Sequence, residues 1–171
     1  MTKITRTEMF ERELRKLYHA ELEILDLHAD LADAAASDAV RAVFSNHEQD
    51  TVVQIHRIER MFEELNTEPQ AEGSPVMEGI LAEKDEIVST DAPPALRDLD
   101  VLTTGMLNER FEITVLDRLL LLAADLEISE EITAELSANR QEAKAALTNM
   151  EAIVERRRLE SKEDSGDHTT P

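Results

Sequence analysis

Apolar residues recur along the chain in steps of three and four over four separate stretches, the period of an amphipathic α-helix. The first runs Phe10, Leu14, Leu17, Ile24, His28, Leu31 and Ala35, with Glu21 in the same row, and predicts a helix over about residues 7–35. Ser37 and Asp38 then supply a break and an N-cap. A second row, Val40, Phe44, His47, Thr51, Gln54, Ile58, Met61, Phe62 and Leu65, stops at Asn66, Thr67 and Pro69. Residues 66–95 lose the rhythm: Pro69, Gly73, Pro75, Pro93 and Pro94 enclose one short helical stretch at 76–88. The third long row is Leu99, Leu102, Met106, Glu109, Ile113, Leu116, Leu120 and Ala123. After a turn at 128–130, with Ser129 as N-cap, the fourth is Ile132, Leu136, Asn139, Ala143, Ala146, Met150 and Ile153. The pattern ends near Leu159, so residues 1–159 are expected to form one domain and 160–171 a disordered polar tail.

Two helical hairpins joined by a connection of about 30 residues call for a crossover running the length of a bundle. The expected fold is therefore all-α, a ferritin-like four-helix bundle whose crossover carries a short extra helix.

The informative residues are those that spoil the rows. A lone carboxylate such as Glu21 in an apolar stripe costs several kcal/mol unless it is paired, protonated or bound to a cation. His47, Asp50, Thr51 and Gln54 interrupt the second row, Glu109 and Glu112 the third, and Glu142 borders the fourth. With turns near residues 36 and 127, Glu21 lies 15 residues before the first and Asp50 14 after it, while Glu112 and Glu142 lie 15 either side of the second. All four fall about 22 Å from their turns, at one level of an antiparallel bundle. Converging carboxylates repel, and one or two divalent cations with oxygen ligands relieve them. Di-iron and di-manganese bundles use single glutamates with Glu-x-x-His pairs. That pair is missing here, because Val53 follows Asp50 at i+3 and Ala145 follows Glu142, although His47 at i−3 from Asp50 offers an imidazole on the second helix. Glutamate is abundant enough for seam positions to arise from a slipped helix face, and His28 and His47 are equally read as ordinary buried histidines.

Composition narrows the function. With 38 acidic and 18 basic residues the formal charge is −20, so nucleic acid, which binds through clustered Lys and Arg, and anionic membranes are not expected partners. Only five of the basic residues are Lys, and dense carboxylates suggest a surface adapted to high salt. The absence of Cys excludes disulfides and thiolate chemistry. No apolar run is long enough to span a membrane, and the stretch MTKITRTEMFERELRK lacks the apolar core of an export signal; a cytoplasmic location is expected.

The stretch LYHAELEILDLHADLADAAASDAVRAVFSNHEQDTVVQIHRIERMFEEL resembles the YciE/YciF family of ferritin-like proteins. Leu17, Tyr18, Ala20 and Glu21 match its LYDAE motif; His47, Asp50 and Thr51 match His-x-x-Glu-Thr; Arg57, Ile58, Glu59 and Phe62 match its third motif. VMEGILAE, ALRDLDVL and NERFEI continue the similarity through Asp98, Glu109, Phe111 and Glu112. The fourth helix departs most, Gln141 and Glu142 standing where the family has a Glu-Glu pair. The resemblance implies a ferritin-like fold, homodimers, a link to stress responses and a metal site of iron or manganese holding one or two ions. Its ligands would come from Glu21, His47, Asp50, Glu109, Glu112 and Glu142. The competing reading is a metal-free helical bundle acting as a structural or interaction module.

Overall fold

A computed structural model of the chain describes residues 3–166, with side chains through Arg158. Five helices follow in order: α1 Arg6–Ala34, α2 Asp38–Glu64, α3 Pro75–Ser89, α4 Pro94–Asp125 and α5 Glu130–Gly166. Local signals set their ends. Thr5 and Glu8 close a capping box on α1, the Thr5 Oγ1 accepting from the Glu8 amide and the Glu8 carboxylate accepting from the Thr5 amide. Ser37 caps α2, and Ser129 Oγ accepts from the Ile132 amide at the start of α5. Helices α2 and α4 end alike: Asn66 and Glu127 take left-handed φ angles of 55° and 53°. The next amides, of Thr67 and Ile128, bond back to the carbonyls of Phe62 and Ala123.

Helix α1 pairs with α2 and α4 with α5; α1 also lies on α4, α2 on α5, and α3 covers α1 and α4. Two apolar clusters fix the directions. One joins Phe10 and Leu14 at the start of α1 to Ile58 and Phe62 late in α2, Leu119 and Leu122 late in α4, and Ile132 and Leu136 early in α5. The other joins Leu27 and Leu31 to Val40 and Phe44, to Val101 and Leu102, and to Met150 and Ile153, with Met77 and Ile80 of α3 laid across it. So α1 runs antiparallel to α2 and α4, and the link between the hairpins travels the length of the bundle: the ferritin-like topology.

The first hairpin turn is tied to the second hairpin. Asp98 of α4, 2% exposed, accepts from the amides of Ala36 (2.7 Å) and Ser37 (3.2 Å) and from Arg157 Nη2 of α5 (2.6 Å). Close packing also fixes one glycine. A Cβ on Gly105 of α4 would lie 2.6 Å from Phe44 Cε1 and 3.0 Å from Met150 Sδ, so the ring of Phe44 rests directly on the α4 backbone.

Helix α5 continues to Gly166, past Leu159 where the apolar pattern stops. Of the tail expected to be disordered, residues 167–171 lie outside the described residues. Among the described residues no helix is long and apolar enough to cross a membrane.

Candidate metal centre

Between the two apolar clusters the interior turns polar. Glu21 of α1 is fully buried, and Glu109 and Glu112 of α4, one turn apart, are each 3% exposed. His28, two turns beyond Glu21 on α1, is equally buried and places Nε2 3.9 Å from Glu109 Oε1. Its ring lies 5.7 Å from that of His47 on α2 and 5.8 Å from Phe44. Helix α2 adds Thr51 and Gln54, and α5 adds Asn139 and Glu142.

A cavity of about 10 Å³ lies among His28, His47, Thr51, Glu109, Glu112 and Glu142, space for a single water or ion. Donors around it are few. Asn108 Nδ2 donates to Glu112 Oε2 (2.8 Å). Among the described residues no N–H or hydroxyl donor reaches either oxygen of Glu21, whose neighbour is the Glu112 carboxyl, and neither ring nitrogen of His28 has a hydrogen-bond partner. That is an uncommon state for buried polar atoms.

Electrostatics follow from this crowding. Burial, followed by the neighbouring Glu112, holds Glu21 and Glu109 well above the usual carboxylate range. Burial pushes Glu112 up as well, to about 7, with Glu21, Glu109 and Asn108 opposing the rise. Loss of water and the neighbouring His47 bring the His28 imidazole down to about 3, so it is neutral. Without a cation the waist is a proton-sharing group of carboxyls beside a neutral imidazole.

The six residues singled out by sequence divide in two. Glu21, Glu109 and Glu112 meet in the interior. His47 reaches the cavity edge, with Nδ1 3.7 Å from Asp50 Oδ2. Asp50 points outward, its side chain 59% exposed. Glu142 lines the cavity, but its Oε2 accepts from Arg57 Nη1 (2.8 Å) and Gln54 Nε2 (2.9 Å). Arg57 also donates to Asn139 Oδ1 (2.9 Å) and faces Glu135 Oε2 at 3.4 Å. Among the described residues no three His, Asp or Glu side chains stand grouped to hold a metal ion. Asn108, Arg57 and His28 were given no place at the site from sequence. Asn108 precedes Glu109 and lies one turn before Glu112, a detectable signal; Arg57 stands in the matched third motif, but its reach across to α5 leaves no pattern in the sequence.

Residues 5–162 match the family described as Domain of unknown function (DUF892). The chain belongs to the DUF892 family. Protein YciF of Escherichia coli (strain K12) is 28% identical over 120 residues, covering 70% of this chain and 72% of YciF. The crystal structure of the E. coli stress protein YciF superposes with a TM-score of 0.83 at 25% identity, covering 88% of this chain and 95% of that one. YcfI from Rhodopseudomonas palustris gives 0.83 at 25%, covering 86% and 94%. A DUF305 fragment from Deinococcus radiodurans, TM-score 0.67 and 14% identical, shares the fold over 85% of this chain and 94% of its own. The similarity to YciE/YciF proteins carried by the LYHAE and HEQDT stretches thus extends to nearly the whole fold of this DUF892 protein.

Proposed function

We propose that this protein binds one divalent cation, iron or manganese, at the polar waist of the bundle. Glu21, Glu109 and Glu112 would be drawn together as its carboxylate ligands with His28 as its imidazole, although among the described residues no three such side chains already stand grouped for an ion. The observation that carries the reading is Glu21, whose two carboxylate oxygens are buried with no donor beyond a proton shared with Glu112. A cation is the partner that such oxygens lack, and the neutral His28 and the small cavity beside Glu109 and Glu112 suit one ion. Two ions fit the residues less well, because Glu142 is engaged by Arg57 and Gln54 and Asp50 faces solvent. Iron or manganese, once bound, supplies redox chemistry toward oxygen or peroxide. The protein residues hold the ion, keep water to a minimum and store or release protons as it comes and goes. Such a protein would serve in stress protection, in keeping with the description of the E. coli relative as a stress protein.

A second reading has its own support. The Arg57–Glu142 pair already places a fixed cation beside the waist, as a metal-free bundle would, and a structural role is the one ascribed to the Rhodopseudomonas relative. Elemental analysis of protein purified without chelator, followed by anaerobic Fe(II) and Mn(II) titration of wild type and Glu21→Gln, separates the two. About one ion per chain, lost in the variant, supports the first reading; no metal above background and no uptake would end it. In the metal-free case Glu21→Gln relieves repulsion and raises the melting temperature.

The homodimer implied by the family is likewise a proposal. Leu22, Val53 and Leu121 remain 38–66% exposed and would supply apolar surface for it, whereas Ile55 and Val115 are buried in the bundle.

A further inference from the structure

A second cavity, of about 460 Å³, lies away from the waist between α1, the start of α3 and α4. Its size falls in the range of small-molecule sites. Most of its wall is apolar, with Phe111 and Val115 of α4 and Val76 of α3. Phe111 packs against both core clusters, so this wall is rigid.

The polar groups around it are mainly donors. Ser74, 5% exposed, is the N-cap residue of the 15-residue helix α3, yet its side chain makes no capping bond. Ser74 lines the cavity at the positive end of that helix, and among the described residues its hydroxyl makes no hydrogen bond. The next residue is Pro75, and the amides of Val76 and Met77 have no side-chain acceptor. Lys16 of α1, half-buried at the rim, meets no carboxylate among the described residues, although acidic residues outnumber basic ones 38 to 18. Arg118 completes the rim. The one acid in the floor, Glu13, is 3% exposed and already held, with Arg12 at 2.8 Å on one oxygen and Arg118 at 3.2 Å on the other.

We propose that this groove binds a small organic monocarboxylate, its carboxylate received by Lys16, the Ser74 hydroxyl and the first amides of α3, and its apolar body lying on Phe111 and Val115. An inorganic anion would waste the apolar wall, and a neutral apolar molecule would leave Ser74 and the helix start without an acceptor. The site is independent of the waist, with no carboxylate of the metal proposal among its lining residues.

Octanoate and octan-1-ol, alike in chain length and different in charge, test it by ¹H–¹⁵N NMR titration of the full chain. Octanoate should shift the amides of Val76, Met77 and Phe111 saturably with a Kd below about 1 mM, and octan-1-ol should bind about tenfold more weakly, lacking charge-assisted hydrogen bonds. Lys16→Gln should reduce octanoate to the affinity of the alcohol. Ser74→Ala, a milder change usable if Lys16→Gln fails to fold, should weaken octanoate and leave octan-1-ol unchanged. Equal binding of acid and alcohol, octanoate shifts confined to other residues, or no saturable shift would each overturn the proposal.

Discussion

Arg57 Nη1 on α2 lies 2.8 Å from Glu142 Oε2 on α5, and the same oxygen accepts from Gln54 at 2.9 Å. The carboxylate that would give the fourth helix a share in a metal centre is thereby satisfied by protein alone. Replacing Arg57 with Gln removes the guanidinium while keeping a polar side chain. Glu142 is about a third exposed, so solvent screens much of the loss. We expect about 1–2 kcal/mol, a fall in Tm of roughly 2–8 °C for a chain of this size. With Glu142 released, Mn(II) should raise the Tm of Arg57→Gln by more than it raises wild type. Equal increments in thermal melts would show that Arg57 does not limit the site.

That pair also marks where reading the sequence stops. Glu21, Glu109 and Glu112 were legible as polar intrusions into apolar rows, Glu21 and Glu112 also at a matched distance from the turns, and the three do meet. Counting from a turn fixes height but not azimuth. Each residue turns the helix by about 100°, so Asp50, one position before the inward-facing Thr51, swings its carboxylate to solvent although its height is right. Arg57 falls beside the apolar row, and only its length carries the charge across to Glu142. The crossover was legible from its prolines and length; that α3 docks across α1 and α4 and opens a cavity at Ser74 depends on packing that no local pattern encodes.

Asp98 holds the first hairpin turn from another helix. Three donors converge on a carboxylate whose side chain is 3% exposed. Asp98→Ala would leave the amides of Ala36 and Ser37 short of an acceptor in a largely buried setting and remove one partner of Arg157, which keeps Ser37 Oγ at 3.0 Å, a loss of about 2–4 kcal/mol. Asp98→Asn keeps an acceptor and should lose less. Hydrogen exchange at the Ala36 and Ser37 amides should accelerate in both variants; unchanged protection with a normal Tm would contradict the clamp.

Gly105 pits helix propensity against packing. Alanine in a helix interior is favoured over glycine by about 1 kcal/mol, but its Cβ would stand 2.6 and 2.7 Å from two ring carbons of the fully buried Phe44. Overpacking of this kind costs about 1–3 kcal/mol, so Gly105→Ala should destabilise on balance. The diagnostic is a double-mutant cycle: Phe44→Leu should cost less in the Gly105→Ala background than in wild type. Strict additivity in chemical denaturation would mean that the ring is free to move aside.

The pH dependence of the chelator-treated protein follows from the waist. Glu21, Glu109 and Glu112 hold protons more tightly when folded than at their ordinary value of 4.5, Glu112 with a folded value of about 7. Their contribution to stability is complete below about 4.5 and is lost as pH rises through the folded values. His28 acts the other way, since its folded value of about 3 lies below the ordinary 6.5, and its contribution is lost as pH falls from 6.5 toward 3. His47, also shifted down by burial, adds to that acid-side loss. Above pH 6.5 these histidines become neutral in both states and the three carboxyls dominate the balance, so Tm should fall between pH 6.5 and 8.5 and be highest in the mildly acidic range. Measuring in molar salt suppresses the general repulsion of a chain of charge −20. Glu112→Gln should flatten the alkaline slope, and Mn(II) should reverse it, because a cation competes with protons for the same oxygens. A level Tm from pH 6.5 to 8.5 in the metal-free wild type, or the same slope in Glu112→Gln, would show that these three carboxyls do not share protons at the waist.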